Sequence, residues 1–200
     1  MKITDIKDKI NSIITDVLFC PLSEDTKGDI EDKMPPLSLL IKPASSNCNL
    51  RCKYCFYHSV AESRNIKSYG IMSKETLEPM VEKALKYADY ACAFAFQGGE
   101  PTLAGLEFYK ELIRLQKKYN HKNLRIDNSI QTNGMLIDDD WAKFLADNKF
   151  LVGLSLDGPK DINDTNRVDL NGEGSFKIGR ASCRERTFLT NMGSNTIYSQ

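Results

Sequence analysis

The chain has 200 residues, 41% of them hydrophobic and 27% charged, with 27 basic and 27 acidic side chains and a formal net charge of zero. This is the composition of a soluble globular protein, long enough for one or two domains with a real core. Balanced charge gives no electrostatic case for nucleic acid or an anionic membrane as partner, no apolar run approaches the ~18–20 residues that span a bilayer, and no secretory signal opens the chain.

Ile3, Ile6, Ile10, Ile13, Ile14, Val17 and Leu18 recur at helical spacing and predict an amphipathic helix over 3–18. Pro21 and a polar run over 23–33 then read as a linker. From Met34 the pattern changes to alternating strands and helices. A strand over 37–42 leads through a Pro/Ser/Asn turn into Cys48, Cys52 and Cys55, three thiols within eight residues. Cysteine thiolates hold iron–sulfur clusters, and a four-iron cluster ligated only by protein needs four of them. A loop offering three leaves one iron open to an exogenous molecule. Zinc is the competing metal, since Cys-x2-Cys is half of many zinc motifs, with His58 as the nearby fourth donor. A disulfide framework lacks its secretory context, and six cysteines of this pattern fit a reducing cytoplasm.

Ser73 is the expected N-cap of a helix over 75–88, and 91–97 is a compact apolar strand in which Cys92 reads as a small core residue. It ends in Gln97-Gly98-Gly99-Glu100-Pro101, where paired glycines let backbone approach a ligand, or simply turn the chain. A helix over 106–119, a strand over 124–132, a helix over 138–148 and a strand over 150–156 follow. The third strand ends in Gln131-Thr132-Asn133-Gly134, whose polar residues are candidate ligand contacts; the fourth ends in Ser155-Leu156-Asp157-Gly158-Pro159, with Arg167 beyond. His121 reads as solvated, and Trp141 with Phe144 as a helix face on the sheet. This alternation predicts an α/β fold of about four parallel βα units, doubly wound or barrel-like. Every informative motif sits just after a strand, where parallel α/β proteins place their sites.

The spacing C-x3-C-x2-C, with Tyr54 before the last cysteine, resembles the signature of the radical S-adenosylmethionine (SAM) enzymes. That resemblance implies a partial (β/α)6 TIM-like barrel with one [4Fe-4S] cluster at its mouth, held by Cys48, Cys52 and Cys55, and SAM on the open iron. Reduction then yields a 5′-deoxyadenosyl radical that abstracts hydrogen from the substrate. It also implies that Tyr54 supplies the motif's aromatic residue beside SAM and that the backbone of Gly98 and Gly99 holds the SAM amino group. Ser155 is implied on the SAM ribose or carboxylate, and Arg167 on the carboxylate. A hydroxyl and a bidentate guanidinium suit those groups chemically.

The stretches over 34–46, 48–58, 94–106, 131–134 and 152–159 together resemble the anaerobic sulfatase-maturating enzymes, across about residues 34–176. These oxidise a Cys or Ser of a sulfatase to Cα-formylglycine, which implies a sulfatase polypeptide as partner, with Tyr57 and Gln97 near it. An external one-electron reductant of flavodoxin or ferredoxin type is implied as well. That family also carries a C-terminal cysteine-rich (SPASM-type) domain with two auxiliary clusters and an Asp proposed as base. No counterpart occurs in these 200 residues, so no catalytic base is assigned. The expectation is an extra segment over 1–33, an incomplete radical SAM core over 34–176 and a non-matching tail over 177–200 containing Cys183. A truncated or frameshifted product and a start at Met34 both fit that expectation. Another peptide-modifying radical SAM maturase, making thioether or ribosomal-peptide modifications, and a non-catalytic metal-binding fragment are the alternatives.

Overall fold

Short apolar runs become strands here, and runs with apolar residues three and four apart become helices. The computed structural model describes residues 36–179; the helix and linker expected over 1–33 and almost all of the 177–200 tail lie outside them. The elements are β1 (Leu37–Ile41), α1 (Phe56–Glu62), α2 (Lys74–Tyr87), β2 (Ala91–Phe96), a 3-10 turn (Pro101–Ala104), α3 (Leu106–Tyr119), β3 (Arg125–Thr132), α4 (Asp139–Asp147), β4 (Leu151–Leu154) and α5 (Lys160–Asn166).

The four strands form one parallel sheet in the order β1-β2-β3-β4. A doubly wound sheet reverses its strand order at a switch point. This one never does, so the barrel-like of the two expected topologies is present, as a four-strand arc.

The register sorts side chains to two unlike faces. Ile41 pairs with Phe96, and Phe96 with Ile130; Ile130 pairs with Val152. All four are buried, in one core with Leu77, Val81 and Leu85 of α2, Leu112 and Leu115 of α3, and Trp141 and Leu145 of α4. Each fully buried side chain of this size contributes about 1.5–3 kcal/mol. Asn128 also points into this core, where it exchanges two hydrogen bonds with Gln116 of α3 (2.8 and 3.0 Å). Tyr109 packs edge-on against Phe96, Phe108, Trp141 and Phe150, and its hydroxyl donates to the Pro101 carbonyl.

On the opposite side of the sheet, the register Ala93↔Asp127, Ala95↔Ser129, Ser129↔Leu151 and Gln131↔Gly153 lines the other face with small and polar residues, the exposed Leu151 apart. That face leads to the loops at the C-terminal ends of the strands.

Some details depart from the expectations. Ser73 precedes α2, but its hydroxyl makes no capping bond and lies 3.4 Å from Thr76 Oγ1. Pro101 opens a 3-10 turn, and α3 begins only after Gly105 at φ 84°. Neither α1 nor α5 was foreseen. Cys92 is fully buried, His121 is exposed, and Trp141 faces the core. Among the described residues no helix is long and apolar enough to cross a membrane.

Candidate functional site

The site is built by the four loops that follow the strands. After β1 the chain turns at residues 42–47, with Ser45 N donating to Lys42 O and Asn47 N to Ala44 O. It then enters the cysteine loop, which is held by a distant partner. Arg51 N donates to Val168 O (2.6 Å), Lys53 N to Asn166 O (3.0 Å), and Leu50 bridges Asp169 in antiparallel fashion. The segment after α5 therefore runs alongside Cys52 as a short second strand. Cys55 closes the loop as the residue that precedes α1.

Cys48, Cys52 and Cys55 are free thiols of intermediate burial. Among the described residues no three or more His, Cys, Asp or Glu side chains gather as a single metal ion requires. The thiols instead stand around a cavity of about 240 Å³. A cavity of that size has room for a group several atoms across. His58, the fourth donor of the zinc reading, has Nδ1 3.9 Å from the Glu62 carboxylate within α1.

Donors approach two of the sulfurs. Leu50 N lies 3.4 Å and Asn133 Nδ2 3.9 Å from Cys48 Sγ, and Arg167 Nη1 lies 4.0 Å from Cys52 Sγ. N–H groups and positive charge at this range favour sulfur in its anionic, metal-bound form. Burial acts against them. It pushes the Cys48 thiol up to about 11, helped by the charges of Glu100, Cys52 and Cys55, and it raises Cys52 against the opposing pull of Arg167. Metal-free, Cys48 and Cys52 are thus held toward their neutral form, so ligation there must expel their protons.

After β2, Gly98 (φ 101°) and Gly99 (φ 61°) hold backbone conformations that disfavour side chains. A Cβ on Gly98 would run into the Lys42 stem, and one on Gly99 into the Asn47 carbonyl. Glu100 is buried and joins the loops: Oε1 accepts from Thr102 N, Thr102 Oγ1 and Thr132 Oγ1, and Oε2 accepts from Asn133 N. Asn133 in turn donates to Asn49 Oδ1 (2.8 Å), which ties the end of β3 to the cysteine loop.

Beyond β4, Ser155 N donates to Thr132 O and its hydroxyl accepts from Gln131 Nε2 (2.7 Å). Gln131 reaches it by crossing Gly153, where any Cβ would meet Oε1 at 2.1 Å. Arg167 is not a solvated side chain. It is 14% exposed, and its Nε donates to Asp157 Oδ1 (2.8 Å). The other Asp157 oxygen accepts from the Tyr54 hydroxyl, and Arg167 lies 5.5 Å from the centre of the Tyr54 ring. Burial and the bond to Asp157 push the Tyr54 phenol well above its ordinary range.

Tyr57 lies against Phe56, with Lys42 Nζ 4.1 Å from its ring centre. Burial and the nearby Arg64 charge lower the pKa of Lys42. Gln97 is exposed beside this pair, its N–H donating to Ile41 O. The same cavity is thus lined by the ten residues assigned to cluster, SAM or substrate from the family resemblance: Cys48, Cys52, Tyr54, Cys55, Tyr57, Gln97, Gly98, Gly99, Ser155 and Arg167. Three contributors escaped sequence reasoning. Asp157 looked like part of an Asp-Gly-Pro turn, Glu100 like part of a glycine motif, and Lys42 like a strand end. Only the last carried a signal, as a lone cation closing an apolar strand.

Residues 43–178 match the radical SAM superfamily. The chain is 65% identical over 150 residues to the cysteine-type anaerobic sulfatase-maturating enzyme of Clostridium perfringens, covering 74% of this chain and 40% of that one. It is 39% identical over 142 residues to the serine-type enzyme of Bacteroides thetaiotaomicron, covering 70% of this chain and 34% of the relative. It also superposes on the solved structure of native anSMEcpe with bound AdoMet and Kp18Cys peptide, with TM-score 0.70 and 62% identity, over 74% of this chain and 40% of that chain. The chain therefore spans about a third to two-fifths of the length of these relatives.

Proposed function

This chain belongs to the radical SAM superfamily, and from that premise we propose that it carries the cluster- and SAM-binding part of an anaerobic sulfatase-maturating enzyme. Cys48, Cys52 and Cys55 are the ligands of one [4Fe-4S] cluster with an open iron. Tyr54 and the backbone of Gly98 and Gly99 bind SAM; Ser155 and Arg167 bind its ribose and carboxylate. A reduced cluster with SAM bound supplies a 5′-deoxyadenosyl radical for hydrogen abstraction. The protein's own residues hold, aim and enclose. Glu100 and Asn133 keep the glycine turn and the cysteine loop in register. Tyr57 and Gln97, which line the same cavity, face the incoming sulfatase polypeptide. Its target is a cysteine, because identity is 65% to the cysteine-type relative against 39% to the serine-type one. The reductant is an external one-electron carrier of flavodoxin or ferredoxin type, and the compartment is the reducing cytoplasm.

One observation carries this reading. Three thiols, a paired-glycine turn and an oriented guanidinium converge on one cavity, although Cys52 and Arg167 are 115 residues apart in the chain. Anaerobic reconstitution of the 200-residue chain with iron and sulfide tests it. About four irons per chain, and 5′-deoxyadenosine from SAM on reduction, are expected, and the cysteine-to-alanine variants should lose both. With a sulfatase peptide, formylglycine detected by mass spectrometry would extend the reading to the complete reaction. Zinc bound in preference to iron, or no SAM cleavage, would refute it.

A further inference from the structure

We infer that Asp157 is the positioning residue of the site: its carboxylate aims Arg167 into the cavity and, through Tyr54, fixes the same guanidinium against the cysteine loop. This rests on the reading of the cavity as a SAM pocket.

The geometry separates the two ends of the guanidinium. Asp157 takes only Nε of Arg167, at 2.8 Å, and not the paired fork by which arginine usually grips a carboxylate. Nη1 lies 4.0 Å from Cys52 Sγ, and Arg167 lines the cavity. A guanidinium carries five N–H donors, so tethering through Nε leaves the Nη face available for an anionic ligand group. The second Asp157 oxygen accepts from Tyr54, which stands between Cys52 and Cys55 in the chain. One carboxylate thereby spans the loop that bears the thiols and the residue that would grip the ligand.

Asp157 is itself held. Its backbone N–H donates to Asn163 Oδ1 (3.2 Å), and Asn163 is fully buried, with Nδ2 directed to Asp164 and Ser175. Asp157 and Arg167 are 20% and 14% exposed, so their pairing is largely shielded from solvent. An arginine side chain without such a tether samples many rotamers. The tether restricts Arg167 before any ligand arrives, which is how preorganisation raises affinity.

The test is a double-mutant cycle on the full chain, reconstituted anaerobically. SAM affinity is read by equilibrium dialysis, and cluster content by iron and sulfide analysis. Asp157→Ala should weaken SAM binding about tenfold or more at unchanged iron content. Asp157→Asn keeps an acceptor for Nε and should lose roughly threefold or less. In an Arg167→Ala background, adding Asp157→Ala should change affinity less than about twofold, because the group being aimed is gone. Independent, multiplying effects of the two alanine variants would overturn the proposal. So would unchanged affinity in Asp157→Ala, or iron loss in both Asp157 variants, which would make the residue part of the loop's fold. If the wild-type chain binds a cluster but not SAM, the pocket reading fails and the proposal falls with it. Loss of affinity that disappears without Arg167 is the result that supports it.

Discussion

The carbonyl oxygen of Asn47 stands where a side chain on Gly99 would begin, 2.4 Å from the ideal Cβ position, and the same oxygen accepts from Glu100 N at 2.7 Å. The glycine turn and the residue preceding Cys48 are therefore in backbone contact. Gly99→Ala adds the cost of a left-handed conformation, about 1–2 kcal/mol, and pushes away an acceptor worth about 1 kcal/mol. We expect a loss of roughly 2–3 kcal/mol in urea unfolding, with reduced iron retention. Gly98→Ala should disturb the cysteine loop less, because its obstacle is the flexible Lys42 stem; iron analysis of the two variants side by side checks this.

Glu100 accepts four hydrogen bonds while buried, and none of its donors has solvent as a substitute. Glu100→Ala should cost roughly 3 kcal/mol or more, since each stranded buried donor costs about 1–3 kcal/mol. Glu100→Gln keeps one acceptor oxygen but turns an amide toward donors, so an intermediate loss is expected. Chemical denaturation of the metal-free proteins separates this fold effect from cluster loss.

Gly153→Ala should leave the fold almost intact, within about 1 kcal/mol, because the atom it meets is the end of a movable side chain. It should nevertheless break the Gln131–Ser155 bond. If Ser155 contacts SAM, affinity falls several-fold, and Gln131→Ala produces the same loss. An unfolding curve and a SAM titration on each variant decide the matter; wild-type SAM affinity in both would remove Gln131 from the site.

Cys92 is fully buried between β1 and β3, and burial raises its thiol from 9.0 to about 11. A group whose folded pKa is raised favours the folded state below its unfolded pKa, and that contribution is lost as pH climbs through the folded value. Stability from this thiol should thus be complete below about pH 9 and fade between pH 9 and 11. Thermal midpoints of the wild type and Cys92→Ala, measured under reducing conditions, should converge over that interval. The thiol should also resist iodoacetamide at pH 8 in the folded chain.

How far the sequence was legible depended on what each residue touches. The expected helix over 106–119 is α3 to the residue, because Phe108, Leu112 and Leu115 form a continuous apolar face closed by a polar turn. Helix α1 escaped notice since only Ala61 of its seven residues is buried, and α5 since only Asn163 is. Neither has an apolar stripe for periodicity to reveal. In the site, residues set by local motif were readable: the cysteines, the paired glycines, and Ser155 and Arg167 through family likeness. Those set by contacts across the chain were not. Asp157 acts on Tyr54 from 103 positions away. The pairing of Arg51 and Lys53 with Val168 and Asn166 leaves no local trace at all.

That pairing has a consequence in time. The cysteine loop and its backbone partner are separated by about 115 residues of synthesis, roughly 6–23 seconds at ribosomal rates of about 5–20 residues per second. Over that interval the loop lacks the partner at 166–169 that holds it in the finished fold. Iron and sulfide delivered then would meet a slack loop, one competent for stray zinc or oxidation. Delivered after residue 169 has emerged and docked, they would meet a loop already drawn to its final shape. A cluster held by these thiols would therefore find its finished loop only once residue 169 has been made and docked.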